Sequence, residues 1–227
     1  MSSIKVEFIE NYLGKPVNDP YGRRVGHIVS FYSDADGNVT ALEISFGDFD
    51  FKEIPIERFT FDGGEVILTP EWEFDAKTIE NRLERLRKRA TALEDLYAKK
   101  EIPRHAYEAF KKKLDEALMK AKEEAKEVKA NLKKRQAELE DTILELEKAM
   151  TSLKVSYIAG EIPDKAYKVA ADQIRKHLEH AQLEKESVKK HLEKIDALEN
   201  QPIDITPATE EKIPEQEQAV PVVVLES

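Results

Sequence analysis

One phrase occurs twice in this chain, sixty residues apart. The first copy is Tyr97-Ala-Lys-Lys-Glu101-Ile102-Pro103-Arg-His-Ala106-Tyr107, and the second is Tyr157-Ile-Ala-Gly-Glu161-Ile162-Pro163-Asp-Lys-Ala166-Tyr167. Both copies interrupt a region whose apolar residues recur at alternating steps of three and four. Ile79, Leu83, Leu86, Ala90, Leu93 and Tyr97 lead into the first copy, and Leu139, Ile143, Leu146, Met150, Leu153 and Tyr157 into the second. Such a narrow seam, with Glu and Lys elsewhere, is the pattern of a coiled coil.

Proline decides what the two copies do. Inside a helix it removes a hydrogen bond and clashes with the preceding turn, costing ~3 kcal/mol. It drives the residue before it, here Ile102 or Ile162, out of the helical region. At the first position of a new helix it is favoured. Gly160 stands where a helix C-terminal glycine belongs, and Lys99 and Lys100 hold the equivalent place in the first copy. Ile102, Pro103, Gly160, Ile162 and Pro163 are therefore read as hinge residues. Ile102 and Ile162 are expected to pack on the paired tyrosines. A kinked but continuous helix is the alternative; short helix–helix connections favour the hairpin.

The reading gives helices at about 74–100, 103–159 and 163–199, with hinges at 101–103 and 160–163. At 1.5 Å per residue the middle helix makes a rod ~85 Å long. Folding back about both hinges brings Asp75 and Leu198 near Val128, so the two ends of residues 72–199 emerge from the middle of the rod. Two features break the seam. The step from Leu132 to Leu139 passes over Arg135, and the third segment slips between Ala181 and Val188. A two-helix seam buries little surface, so a homodimer or polymer is expected.

Residues 1–70 have another character. Glycines and β-branched residues concentrate there, and Ile4, Val6 and Phe8 alternate, as do Leu42, Ile44 and Phe46. Residues 25–31 and 66–68 read as further strands, and Asp36-Gly37-Asn38 as a tight hairpin turn. About six short strands in so short a segment predict a small barrel, which closes its own sheet edges. Leu13-Gly14-Lys15-Pro16-Val17, Tyr21-Gly22-Arg23-Arg24-Val25-Gly26-His27-Ile28, the stretch from Asp36 to Leu42 and Ile54-Pro55-Ile56-Glu57-Arg58-Phe59 resemble, in order and spacing, the strands of a PRC-barrel domain. The resemblance covers residues 8–69 and implies an interaction module.

Composition narrows the function classes. The chain has no cysteine, which removes disulfides, thiolate nucleophiles and cysteine-ligated metals. No apolar run reaches the ~18 residues of a membrane span, and a cytoplasmic protein is expected. No catalytic, cofactor or metal residues are assigned. Gly22 to Gly26 lacks the Gly-Lys-Ser/Thr ending of a phosphate loop. Asp34-Ala35-Asp36-Gly37-Asn38 has its glycine too early for an EF-hand and reads as a turn. His177 and His180 share a helix face with Glu184 one turn on, but a solvated patch explains them without a metal.

Charge is uneven: net −6 over residues 1–70, +2 over 71–198 and −6 over 199–227. Only the helical part offers basic clusters, and Arg82, Arg85, Arg87, Lys88 and Arg89 are the candidate DNA contacts. Acids interleave with them, so helix faces making i,i+4 pairs are the plainer explanation.

After Asn200 the chain reads as an acidic disordered linker, 200–218. It ends in an abrupt apolar run of Val220, Pro221, Val222, Val223, Val224 and Leu225. Such a segment can add as a strand to a partner's sheet edge, the preferred reading, or dock on this chain's own barrel.

The whole is an α+β multidomain layout: a small all-β PRC-like barrel, a long antiparallel helical coiled-coil rod and a disordered tail. That order, with its hydrophobic terminus, resembles the CdvA family of crenarchaeal cell-division proteins. The resemblance implies a filament-forming scaffold at the mid-cell division site that reaches the membrane indirectly or peripherally. It implies a partner, the ESCRT-III homologue CdvB, whose winged-helix part would take residues 220–225, and an association with DNA. A nucleic-acid-coating architectural protein is the alternative.

Overall fold

A computed structural model of the chain describes residues 4–47 and 49–200. The acidic linker and the apolar segment 220–225 lie outside the described residues.

The N-terminal part holds α1 (Val6–Ile9) and six strands: β1 (Pro16–Asn18), β2 (Arg24–Ser33), β3 (Val39–Ser45), β4 (Phe51–Pro55), β5 (Phe59–Asp62) and β6 (Glu65–Leu68). Their order in the sheet is β4-β3-β2-β1-β6-β5. β4 and β5 are thus the two edges, yet only residues 56–58 join them. In a flat sheet with strands ~4.8 Å apart those edges would lie ~24 Å from each other. The four residue steps from Pro55 to Phe59 reach ~14 Å at most. The sheet therefore has to roll up, and the expected barrel results. Ile9, Val17, Ile28, Leu42, Ile44 and Val66 fill it, all fully buried. At Gly26 a side chain has no room, because a Cβ would stand 2.3 Å from the Ser45 carbonyl oxygen on the neighbouring strand.

One expected strand is a helix. The alternation of Ile4, Val6 and Phe8 spans only three positions, and Val6 and Ile9 also fit the i,i+3 spacing of a helical turn. The chain makes one bridge, Lys5 to Asn38, and then coils into α1. Coiling drops Ile9 into the barrel, while Phe8 packs on Tyr12 and Phe61 with ring centroids 5.0 and 5.3 Å away.

The rod is α2 (Glu71–Ala98), α3 (Arg104–Ile158) and α4 (Asp164–Asn200). α2 and α3 run antiparallel, with Lys111 on Glu94 at 2.9 Å and Arg82 paired to Glu124. α3 and α4 do the same, with Lys185 on Glu140 at 2.9 Å and Lys129 on Asp196 at 2.9 Å. α2 and α4 are consequently parallel, and they overlap side by side rather than meeting end to end. Trp72 reaches Glu184 at the start of the overlap, His191 lies on Glu80, and Arg87 reaches the Leu198 carbonyl at its end. The centre of the rod is therefore a three-helix bundle, closed on Leu83, Leu132, Val188 and Ile195, all fully buried. The two arms are two-helix hairpins.

Both hinges are closed by the same hydrogen bonds. At the first, Lys100 N donates to the Tyr97 carbonyl and Glu101 N to the Leu96 carbonyl, each at 3.0 Å. At the second, Gly160 N donates to Tyr157 at 3.1 Å and Glu161 N to Ser156 at 2.9 Å. These paired bonds are Schellman caps. The cap residue is left-handed in both, with φ +60° at Lys100 and +75° at Gly160. The repeated tyrosines stack face to face, Tyr97 on Tyr107 at 4.1 Å and Tyr157 on Tyr167 at 4.2 Å.

Candidate functional site

The barrel sits on the rod's three-helix centre, and one buried carboxylate organises the contact. Glu184 on α4 is 1% exposed. It accepts hydrogen bonds from three elements: Arg23 Nη2 of the β1–β2 turn at 2.5 Å, Trp72 Nε1 at the start of α2 at 3.2 Å, and Arg135 Nε of α3 at 2.8 Å. Burial pushes the Glu184 carboxyl up. The Arg135 hydrogen bond and the Arg23 charge outweigh it and hold the group below the usual carboxylate range.

A second layer fixes the turn that delivers Arg23. Asp19 Oδ1 accepts from the backbone N–H of Tyr21 at 2.9 Å and of Arg23 at 2.8 Å, an Asx-type turn, and Asp19 Oδ2 takes Arg23 Nε at 2.6 Å. Tyr21 donates its hydroxyl to Glu73 at 2.8 Å and lies near-parallel to Trp72. Burial, with the Glu73 contact, raises the Tyr21 phenol well above its ordinary range, so it stays a donor. Two turns further along α2, buried Glu80 is held by His191 Nδ1 at 2.5 Å and by Lys194 at 3.0 Å.

The two seam irregularities thus meet. Arg135, passed over on α3, and Glu184, inside the slip on α4, are each other's partners across the antiparallel pair. The signal was present: two seam positions of opposite charge stand within about one and a half helical turns of the register that pairs Tyr157 with Tyr167. Reading each helix alone does not reveal it.

A second feature lies on the first arm. Between α2 and α3, toward the first hinge, runs an apolar groove of about 560 Å³ lined by Leu86, Leu93, Leu96, Ile102, Phe110 and Leu114 among others. Phe110 is 59% exposed, and Arg89 and Lys113 stand at the rim. Its signal in the sequence is a second apolar row beside the seam: Ala92 and Leu96 on α2, Ala106 and Ala117 on α3.

The candidate DNA contacts do not share one face. Arg87 turns toward α4 and donates to the Leu198 carbonyl at 3.0 Å, while Arg82 pairs with Glu124 on α3. Arg85 donates to the Asn81 carbonyl of its own helix at 3.4 Å. Arg85, Lys88 and Arg89 are exposed. The hinge residues Ile102 and Ile162 are half-buried, whereas Pro103 and Pro163 are exposed. His177 and His180 have ring centroids 6.5 Å apart, and Glu184 beside them is engaged by the two arginines. Among the described residues no group of three His, Cys, Asp or Glu side chains is placed to hold a metal ion. No described helix is long and apolar enough to cross a membrane.

Known proteins show the same two parts. The PRC-barrel domain family matches residues 5–74, and the CdvA-like coiled-coil domain family matches residues 71–218. Cell division protein A of Sulfolobus acidocaldarius is 37% identical over 205 residues, covering 90% of this chain and 86% of that protein. No solved structure matches significantly. A barrel docked on the middle of a folded-back rod, matched part by part and along nearly its whole length, places this chain in the CdvA-like family.

Proposed function

We propose that this protein is a non-enzymatic, filament-forming scaffold of archaeal cell division. It recruits the ESCRT-III homologue CdvB to the mid-cell division site through Val220, Pro221, Val222, Val223, Val224 and Leu225. The observation that carries the cell-division role is the 37% identity along 90% of the chain to Cell division protein A.

The architecture supports a scaffold. The barrel sits at the rod's centre, and α4 ends there too, because Lys129 on α3 pairs with both Asp196 and Glu199. Both hairpin arms project away from that centre and, among the described residues, leave exposed faces for lateral or end-on contacts between copies, as a homodimer or filament needs. The membrane is approached indirectly or peripherally, through partners. Two buried carboxylates argue for structure over catalysis: Glu80 and Glu184 are held by cations below the usual carboxylate range, where a general base would be kept near neutral pH.

Calorimetric titration of CdvB's C-terminal domain with the intact chain, and with the chain truncated after Gln218, tests recruitment. Saturable binding that disappears on truncation is the expected result. Equal binding by both forms would move the site to the barrel or rod. No binding by either would overturn recruitment and turn attention to nucleic acid on the basic first arm.

A further inference from the structure

The groove on the first arm is the continuation of α4's own slot. α4 lies parallel to α2 in the three-helix centre and ends at Asn200, just past the level where Arg87 holds the Leu198 carbonyl at 3.0 Å. From there toward the hinge, α2 and α3 present the same apolar seam to the same side, and no described residue covers it. The axis of α4 therefore points along the groove.

Charge selects the same occupant. From Arg82 to Lys120 the first arm carries 12 Lys or Arg against seven Asp or Glu. From Asp141 to Glu184 the second arm carries six against eight. Residues 201–227 carry one Lys and six Asp or Glu around one apolar run. At the rim, neither Arg89 nor Lys113 is in an ion pair with any described residue.

We propose that the protein's own C-terminal segment docks in this groove. Residues 220–225 lie along Leu93, Leu96 and Phe110, and acids of the tail meet Arg89 and Lys113. Reach is no obstacle. The 19 residues of 201–219 have an r.m.s. span of ~25 Å as a flexible coil, and the groove begins within ~15 Å of the end of α4 along the rod axis. A tether of that length gives an effective concentration of order mM, so even an affinity near 0.1 mM keeps roughly nine tails in ten docked. The rod would then hold the peptide until a tighter partner takes it. That regulatory consequence rests on the recruitment reading; the docking does not.

The absence of cysteine makes the test clean. Spin labels on K112C, beside the groove, and S227C, at the end of the tail, are measured by pulsed dipolar spectroscopy in the full chain without any partner. Docking gives a narrow distribution below ~25 Å, whereas a free tail gives a broad one extending to ~50 Å and beyond. F110D and R89E/K113E are each expected to broaden it at unchanged helicity, because all three side chains reach the surface. Dilution with excess unlabelled chain should leave the short distance intact. A short distance that vanishes on dilution would assign the groove to a neighbouring copy's tail and overturn the proposal. So would a broad distribution in the parent, or one indifferent to both variants. In the CdvB titration, R89E/K113E is expected to raise apparent affinity about tenfold, the factor lost when only a tenth of the tails are free. If CdvB does not bind at all while the short distance persists, recruitment fails and docking stands.

Discussion

The two hairpins of the rod share a sequence phrase, a pair of cap hydrogen bonds and a stacked tyrosine pair, yet they are different surfaces. At the second hinge the left-handed position is Gly160; at the first it is Lys100, the one non-glycine residue with positive φ among those described. The first arm is basic and carries an apolar groove, while the second is slightly acidic. The repeat specifies the turn and nothing beyond it. What each arm can bind is set by residues outside the repeat and by where α4 stops.

What the two hairpins share most is the centre that holds them, so its removal has the largest expected effect. E184A leaves Arg23 and Arg135 facing each other without their carboxylate and should cost about 3–5 kcal/mol in urea unfolding. A loss below about 1 kcal/mol would mean that the barrel and the two hairpins are not coupled there. The same group gives a pH test. Glu184 and Glu80 both titrate below the ordinary carboxylate range in the folded protein, so they stabilise it fully above their unfolded pKa. That stability is lost as pH falls through the lower folded values, below about pH 4.5. A plot of unfolding free energy against pH should fall in that window, and less steeply in E184A.

The caps come next. G160A places a Cβ in the left-handed region and should cost about 1–2 kcal/mol. K100G relieves the same strain and should stabilise the rod by up to about 1 kcal/mol. Exchanging the two residues, K100G with G160K, should leave stability nearly unchanged. A net change above about 1 kcal/mol would show that the hinges differ in more than their cap residue. The smallest effect separates the tyrosine pairs. Tyr107 donates to Glu94 at 2.8 Å, and Lys111 lies within 2.8 Å of its hydroxyl. Y107F should cost about 0.5–1.5 kcal/mol by thermal unfolding, more than Y157F, whose hydroxyl reaches only an exposed Asp164. Equal losses would mean the stacked rings, not the hydroxyls, set each pair's contribution.

Legibility followed locality. The hinges were readable because proline and the left-handed cap act within a few residues. The heptad seam was readable because it repeats over many turns. The strand at Ile4, Val6 and Phe8 was misread because three alternating positions do not separate a strand from one helical turn. Arg135 and Glu184 were visible only as two separate defects in a pattern. Each alone is a polar residue at a seam position, and only the antiparallel register places one against the other.

By itself the sequence determined the two turns, the helices between them, the strand-rich head and the absence of thiol chemistry. All of these depend on backbone preferences and periodicity over short windows. The tertiary structure alone decided that the barrel rests on the rod's centre through Asp19, Arg23 and Glu184, and that α2 and α4 overlap there instead of abutting. It also decided that, among the described residues, an apolar groove is left uncovered where α4 ends. Those facts depend on how three helices of unequal length register in space, and no short window of sequence contains that register.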